Sequence, residues 1–211
     1  MNSPKPDNQE IEVTISSGVP VAPSQQQDLQ ESLGKAFGWV SASNRREDGA
    51  GNWSYDQGNV GGRVQRQTLT ISADGRTVRL HRVALPVTDP QSAGAFSFDD
   101  FSKSLIGLVR HVANAPPEAS ECHLRIRVSN LREKKLINFN PQSLSGRRAL
   151  QGPQPEFAPA AHDPVEYSEG FLSDASGVRD ELLSATRYVL RQFEPSVAWQ
   201  NDEFDFEFAN L

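Results

Sequence analysis

The chain has a single cysteine, Cys122, among its 211 residues. One cysteine excludes an internal disulfide framework and every metal site built from several thiolates. Long apolar runs are also absent: no stretch approaches about 18 consecutive apolar residues, which excludes a membrane-spanning helix. The first ten residues, MNSPKPDNQE, lack the basic and then apolar pattern of a secretory signal, so we expect a cytoplasmic protein with no membrane partner.

Motifs of nucleotide binding and covalent catalysis are missing too. The glycines of 49–62 match neither G-x-x-x-x-G-K-[ST] nor G-x-G-x-x-G, and no G-x-S-x-G is present. Cys122 and His123 are adjacent, and neighbours on a strand point to opposite faces, so they form no catalytic dyad. The four histidines have neither H-x-H nor H-x-x-x-H spacing. We therefore assign no catalytic residue, metal ligand or cofactor, and the sequence leans away from an enzyme.

What the chain does have is segregated charge. Residues 63–148 hold 14 Lys and Arg against 7 Asp and Glu, whereas 1–62 hold 4 against 8 and 149–211 hold 3 against 12. A basic middle between acidic flanks indicates either a surface for an anionic partner or ion pairing within the molecule.

Hydrophobic periodicity predicts three helices and about six strands. The helices are expected at about 25–38, from an N-cap at Ser97 to about 113, and at 176–193. The strands are expected at 11–15, 68–72, 77–83, 122–128, 136–139 and 203–208. Ser24 and Gln27 resemble a capping box for the first helix. Asp74-Gly75 supplies the turn of a hairpin in which Leu69 and Ile71 match Leu80 and Val78.

The predicted order β-α-ββ-α-ββ-α-β favours an α+β fold. We expect a two-layer sandwich with a mainly antiparallel sheet of about five to six strands and about three helices on one face. Residues 1–10 are expected to form a tail and 11–211 a single domain. Two long loops are expected at 41–63 and 141–172, anchored by aromatic residues. The strand at 136–139 is expected to pair back against 122–128.

The candidate site is the polar side of the central strands. Alternation places Arg79 and His81 on an outer face of the sheet, together with His123, Arg125 and Arg127. Arg66 precedes the first hairpin strand and completes the set. These residues indicate contact with phosphates or with an acidic partner, and the competing interpretation is a solvated face paired with nearby carboxylates. Both interpretations stay open from the sequence.

A second pattern is the acidic alternation of Glu203, Asp205 and Glu207 between phenylalanines. On a strand these carboxylates point the same way, about 7 Å apart. Protection of a sheet edge from aggregation explains them without a ligand. Neutralisation of the basic strands and binding of a divalent cation are the alternatives, and the pattern lacks the glycine and ligand spacing of a calcium loop.

These features favour a non-catalytic interaction module that binds a protein partner through a polar sheet face or long loops. Adaptors, escort chaperones and immunity or inhibitor proteins all fit this description. The alternative is a domain that binds nucleic acid or a phosphorylated ligand through the basic central strands. A third hypothesis is an enzyme whose site is assembled in space, for which His81 and His123 near a carboxylate are the residues to examine. The sequence leaves the oligomeric state open.

Overall fold

The computed structural model describes residues 9–58, 65–84, 95–97, 101, 104–109, 121–132, 134–137, 160 and 162–193. The described chain is α+β, with one antiparallel sheet of seven strands, a separate pair of short parallel strands, and three helices. The predicted α+β class is confirmed, but the sheet has seven strands where five or six are expected, and the order of the elements differs from the predicted β-α-ββ-α-ββ-α-β.

The seven-stranded sheet has the order β2-β3-β4-β5-β1-β7-β9. Its strands are β1 Gln9–Ser17, β2 Arg45–Glu47, β3 Trp53–Gln57, β4 Gln65–Ile71, β5 Thr77–Ala84, β7 Glu121–Ser129 and β9 Val165–Leu172. Strands β2 to β5 form a meander of neighbours in sequence. Strand β1 lies between β5 and β7 and pairs with both. The parallel pair consists of β6 Ala95–Ser97 and β8 Lys135–Ile137.

Three helices accompany the sheet. Helix α1 is Gln26–Phe37 and α3 is Ala175–Leu190, while residues 101 and 104–109 are helical and form the described part of α2. All three supply side chains to one hydrophobic core, including Leu33 from α1, Leu105 from α2 and Leu182 from α3. The predicted apolar stripe of the third helix is confirmed, since all of its members are buried: Val178, Leu182, Ala185, Val189 and Phe193.

One face of the sheet is apolar and the other is polar because the strand sequences alternate with a period of two. On β7 the exposed and buried residues alternate without a break up to Val128. Cys122 belongs to the buried set, as expected for a small core residue. Burial of the aliphatic face is the main favourable term that holds the helices to the sheet.

The β4–β5 hairpin forms as its sequence predicts. Leu69 lies opposite Leu80 and Ile71 opposite Val78, so that the inward residues of the two strands match. Gly75 has a φ of +70° in the turn, a backbone conformation that residues with a Cβ rarely adopt. The expected hairpin is confirmed.

Both expected loops contain strands that sequence patterns missed. The segment 41–63 includes β2 and β3, and 141–172 includes β9, so neither is one long connection. The aromatic anchors are confirmed where the structure describes them, because Trp53, Tyr55, Tyr167 and Phe171 are buried. The missed strands are short or interrupt the alternation of buried and exposed residues. In β9 the interruption is Glu169, which occupies a position where the alternation predicts a buried residue but is exposed.

Two smaller expectations also need correction. Strand β8 pairs with β6 in a parallel register, so the described residues 136 and 137 of the predicted strand 136–139 pair with β6 and not with β7. Helix α1 follows a short 3-10 turn, Pro23–Gln25, and its N-cap is Gln25 with no side-chain cap, so Ser24 does not cap it. Ser97 is the last residue of β6, and residues 98–100, which decide whether it caps the second helix, lie outside the described residues. The predicted strand at 203–208, with its acidic residues, lies outside the described residues.

Candidate functional site

The candidate site is the side of the seven-stranded sheet that faces away from the core, here called the outer face. Its polar residues on the five strands β4, β5, β1, β7 and β9 are Arg66, Thr68, Thr70, Thr77, Arg79, His81, Glu10, Glu12, Thr14, Ser16, Glu121, His123, Arg125, Arg127, Ser129, Glu166 and Ser168, and Val83 and Leu172 lie on the same side. Each of these side chains is exposed or half-buried. Four arginines and four glutamates are present in this set, so formal charge balances across it.

Strand register arranges the middle of the outer face in two neighbouring rows that run across the strands. The charged row is His81, Glu12, Arg127 and Glu166, each directly opposite the next. The hydroxyl row is Arg79, Thr14, Arg125 and Ser168, aligned in the same way. The two rows are two residues apart along each strand, or about 7 Å.

Carboxylates lie beside three of the four basic side chains of the two rows. The guanidinium of Arg79 bonds the carboxylate of Glu12. Arg127 Nε lies 3.4 Å from an oxygen of Glu166, and His81 Nε2 lies 3.6 Å from an oxygen of Glu10. Exposed pairs of this kind contribute little to stability. Their effect on the surface is to cancel positive charge that a polyanion would otherwise meet.

Two arginines of the outer face stand apart from this pairing. Within the part of the chain that the structure describes, neither Arg66 nor Arg125 takes part in an ion pair. Arg125 is exposed and lies directly between Thr14 and Ser168 on the two neighbouring strands. Its cross-strand neighbours are therefore hydroxyl groups and not carboxylates.

The six residues proposed from sequence all lie on the outer face, and the structure brings four of them together. Arg79, His81, Arg125 and Arg127 surround Glu12 and Thr14 of β1. Strand spacings of about 4.8 Å and steps of about 3.4 Å place Arg66 and His123 about 25 Å apart, towards opposite ends. The six are therefore a central group of four with one residue at either end.

Sequence reasoning missed the carboxylates and hydroxyls that complete the site. Glu10, Glu12 and Thr14 alternate with the buried residues of β1, and that alternation was a usable signal for their side of the strand. What no local pattern shows is that β1 lies between β5 and β7. Ser168 and Glu166 were hidden because β9 fell within an expected loop.

The histidines do not form a catalytic pair. His81 lies opposite Glu12 and His123 opposite Ser16, so two strand spacings and four residue steps, about 17 Å, separate them. His123 Nε2 lies 3.5 Å from Ser168 Oγ. Activation of a nucleophile needs a base within about 2.6–3.2 Å, and this pair is longer and lies on an open surface.

A second polar cluster lies between β9 and α3. Glu181 is buried with 6% of its surface exposed, and it is hydrogen-bonded to the phenol of Tyr167. Burial raises the pKa of Glu181; the hydrogen bond from Tyr167 opposes this rise, and the negative charge of Glu169 adds to it. Burial and then the charge of Glu181 raise the pKa of Tyr167. Both shifts favour neutral groups, which suits a structural cluster inside the core.

Among the described residues, no three or more His, Cys, Asp and Glu side chains are grouped to hold a metal ion. The described helices include none with the length and apolar character needed to cross a membrane. Comparisons of the chain with protein-family models, with curated proteins and with solved structures gave no match. The residues of the outer face are therefore the basis for inferring the function.

Proposed function

We propose that this chain is a non-catalytic interaction module that binds a protein partner through its outer face. The observation that carries the proposal is the charged row, in which Glu12, Arg127 and Glu166 alternate in sign across three neighbouring strands and His81 lies opposite Glu12 on a fourth. A surface that presents both signs in a fixed order selects a partner by complementary charge. An adaptor, an escort chaperone and an immunity or inhibitor protein each need such a surface and no catalytic group.

The size of the outer face supports the same proposal. Seven strands at about 4.8 Å give a surface about 29 Å wide, and strands of eight or nine residues at about 3.4 Å are about 27–31 Å long. A standard protein interface buries about 800 Å² on each partner, which such a face accommodates. The threonines on β4 and β5 add hydrogen-bonding groups between the charges, as in the polar rim of many interfaces.

Binding of nucleic acid or of a phosphorylated ligand is the second candidate. Arg66 and Arg125 favour it, because no described carboxylate pairs with either guanidinium. Glu12 and Glu166 oppose it, because a chain of phosphates laid across the charged row meets negative charge on two strands. A balanced surface of this kind supplies little of the counterion-release energy that drives polyanion binding.

Photo-crosslinking in the native cells tests the proposal directly. A photoreactive residue replaces Thr70 on the outer face, and the matched control carries it at the exposed Asp180 on α3. We expect adducts at Thr70 that protease removes and nuclease does not. The adducts should be lost when Arg79→Glu and Arg125→Glu are combined in the same chain.

The other outcomes of the crosslinking experiment contradict the proposal. If nuclease removes the adducts at Thr70, the second candidate, binding of nucleic acid, replaces the proposal. Equal adducts at Thr70 and Asp180, or none at Thr70, overturn binding through the outer face.

A further inference from the structure

Arg125 and Arg127 lie two residues apart on the outer side of β7, but their surroundings are opposite. Arg127 has a carboxylate directly opposite it on each neighbouring strand, Glu12 on β1 and Glu166 on β9. Arg125 has a hydroxyl on each side, Thr14 on β1 and Ser168 on β9. The charge of Arg127 is thus neutralised by neighbouring carboxylates, whereas the charge of Arg125, two residues away on the same strand, is not.

We infer that Arg125 is the anion-binding residue of the outer face and that it receives a carboxylate side chain of the protein partner. A guanidinium presents a planar fork of donors that matches the two oxygens of a carboxylate. Thr14 and Ser168 lie directly opposite it, at Cα distances of about 4.5–5.5 Å, and each offers a hydroxyl donor to the same ligand. This inference rests on the proposed function, because it specifies what the partner presents to that face.

The neighbouring charged row favours a protein carboxylate over a phosphate polymer. Glu12 and Glu166 belong to a row about 7 Å from Arg125, which is within the screening length of about 10 Å at 0.1 M salt. A nucleic acid that placed one phosphate at Arg125 would bring others towards these carboxylates. A protein segment can instead carry a cation next to its acidic residue. We therefore expect an extended segment with an acidic residue followed two positions later by Lys or Arg.

Peptides of defined sequence test this inference by fluorescence anisotropy with the full chain at about 50 mM salt. The probe is a labelled peptide of three Thr-Glu-Thr-Lys repeats. The control is a second labelled peptide in which every Glu is replaced by Gln. We expect the first peptide to bind wild type and the second to bind at least about tenfold more weakly, since a hydrogen bond between charged groups is lost. A 12-nucleotide single strand serves as the polyanion probe.

Two variants that each remove one positive charge test whether binding depends on Arg125. Arg125→Gln should weaken the Glu-containing peptide at least about tenfold, whereas Arg179→Gln, which makes the same change of charge at an exposed position of α3 away from the outer face, should change it by less than about twofold. Arg125→Lys, which keeps the charge and loses the fork, should fall between them. Thermal melts confirm that all three variants fold as wild type does.

Four results would contradict the assignment of Arg125 as a carboxylate-binding residue. Equal loss in Arg125→Gln and Arg179→Gln, equal binding of the Glu and Gln peptides, or no binding of the Glu peptide overturns the carboxylate assignment. Tighter, Arg125-dependent binding of the oligonucleotide also overturns it, in favour of a phosphate site. The crosslink at Thr70 requires no carboxylate in the partner, so its result separates failure of this inference from failure of the proposed function.

Discussion

Glu12 bonds the guanidinium of Arg79 on one side and lies directly opposite Arg127 on the other. It is thus the carboxylate between two cations at the centre of the outer face, with 26% of its side chain exposed. This position makes one residue responsible for much of the charge balance of the surface. Its removal should shift the balanced charge of this surface by one unit towards positive without touching the core.

Glu12→Gln should therefore increase binding of a polyanion such as heparin. We expect the affinity at about 50 mM salt to rise several-fold and its salt dependence to become steeper, because the newly uncompensated arginines release additional counterions on binding. The control is Asp180→Asn, which makes the same change of charge on α3, away from the outer face. Equal gains in the two variants would mean that net charge alone sets the affinity.

Gly75→Ala should destabilise the fold. Gly75 has a φ of +70°, and a Cβ built on it would lie 2.7 Å from Cβ of Val21, so both backbone conformation and space oppose a side chain. We expect a loss of about 1–3 kcal/mol in the free energy of unfolding, measured with urea. Gly49→Ala is the matched control, because a Cβ there meets nothing within 4 Å. A loss below 0.5 kcal/mol, roughly the size of an ordinary surface change, would contradict the turn geometry.

Asp174→Ala should weaken the start of α3. The carboxylate of Asp174 accepts a hydrogen bond from the Gly177 N–H at 2.7 Å, which satisfies one of the free donors in the first helical turn. We expect a cost of about 1 kcal/mol in urea unfolding. Asp180→Ala, also exposed and on the same helix, removes a carboxylate without a cap. If both variants lose the same stability, the capping bond is not the cause.

Glu181→Gln should change how stability depends on pH. Since burial raises the folded-state pKa of Glu181, the stability linked to its protonated form is present at low pH and is lost as pH rises through that raised value. Gln keeps the size and stays neutral, so the variant should gain on wild type, on the order of 1 kcal/mol, between pH 4 and pH 8. Thermal or urea unfolding at both pH values measures the gain. Glu31→Gln on the surface of α1 is the control, and an equal gain there would contradict the prediction.

Sequence predicted the elements whose signals are local. The β4–β5 hairpin follows from Asp74-Gly75 and flanking alternation, and α3 follows from a regular stripe that begins at Val178. Strand β3 was missed because its residues lie among glycines, and β9 because Glu169 interrupts its apolar side. Pairing between distant segments, such as β6 with β8, leaves no trace in local periodicity.

The candidate site was predictable in one respect only. Alternation placed Arg125 and Arg127 on the polar side of β7, which the structure describes as exposed. Their different surroundings depend on which strands flank β7 and on the register of those strands. Glu12 and Thr14 precede these arginines by more than a hundred positions in the printed sequence, so only the folded sheet brings them together.

The central position of β1 also affects the order in which the sheet can assemble during synthesis. Val13 pairs with Leu80 on β5 and with Ile126 on β7, so β1 leaves the ribosome long before either partner exists. The meander of β2 to β5 can close from neighbouring segments and pair with one edge of β1, while the other edge of β1 stays open until β7 has been made. Ladders between distant segments fold slowly, and unpaired strands are exposed to aggregation in the interval. We therefore expect one edge of residues 9–17 to stay open to aggregation until the second half of the protein has emerged.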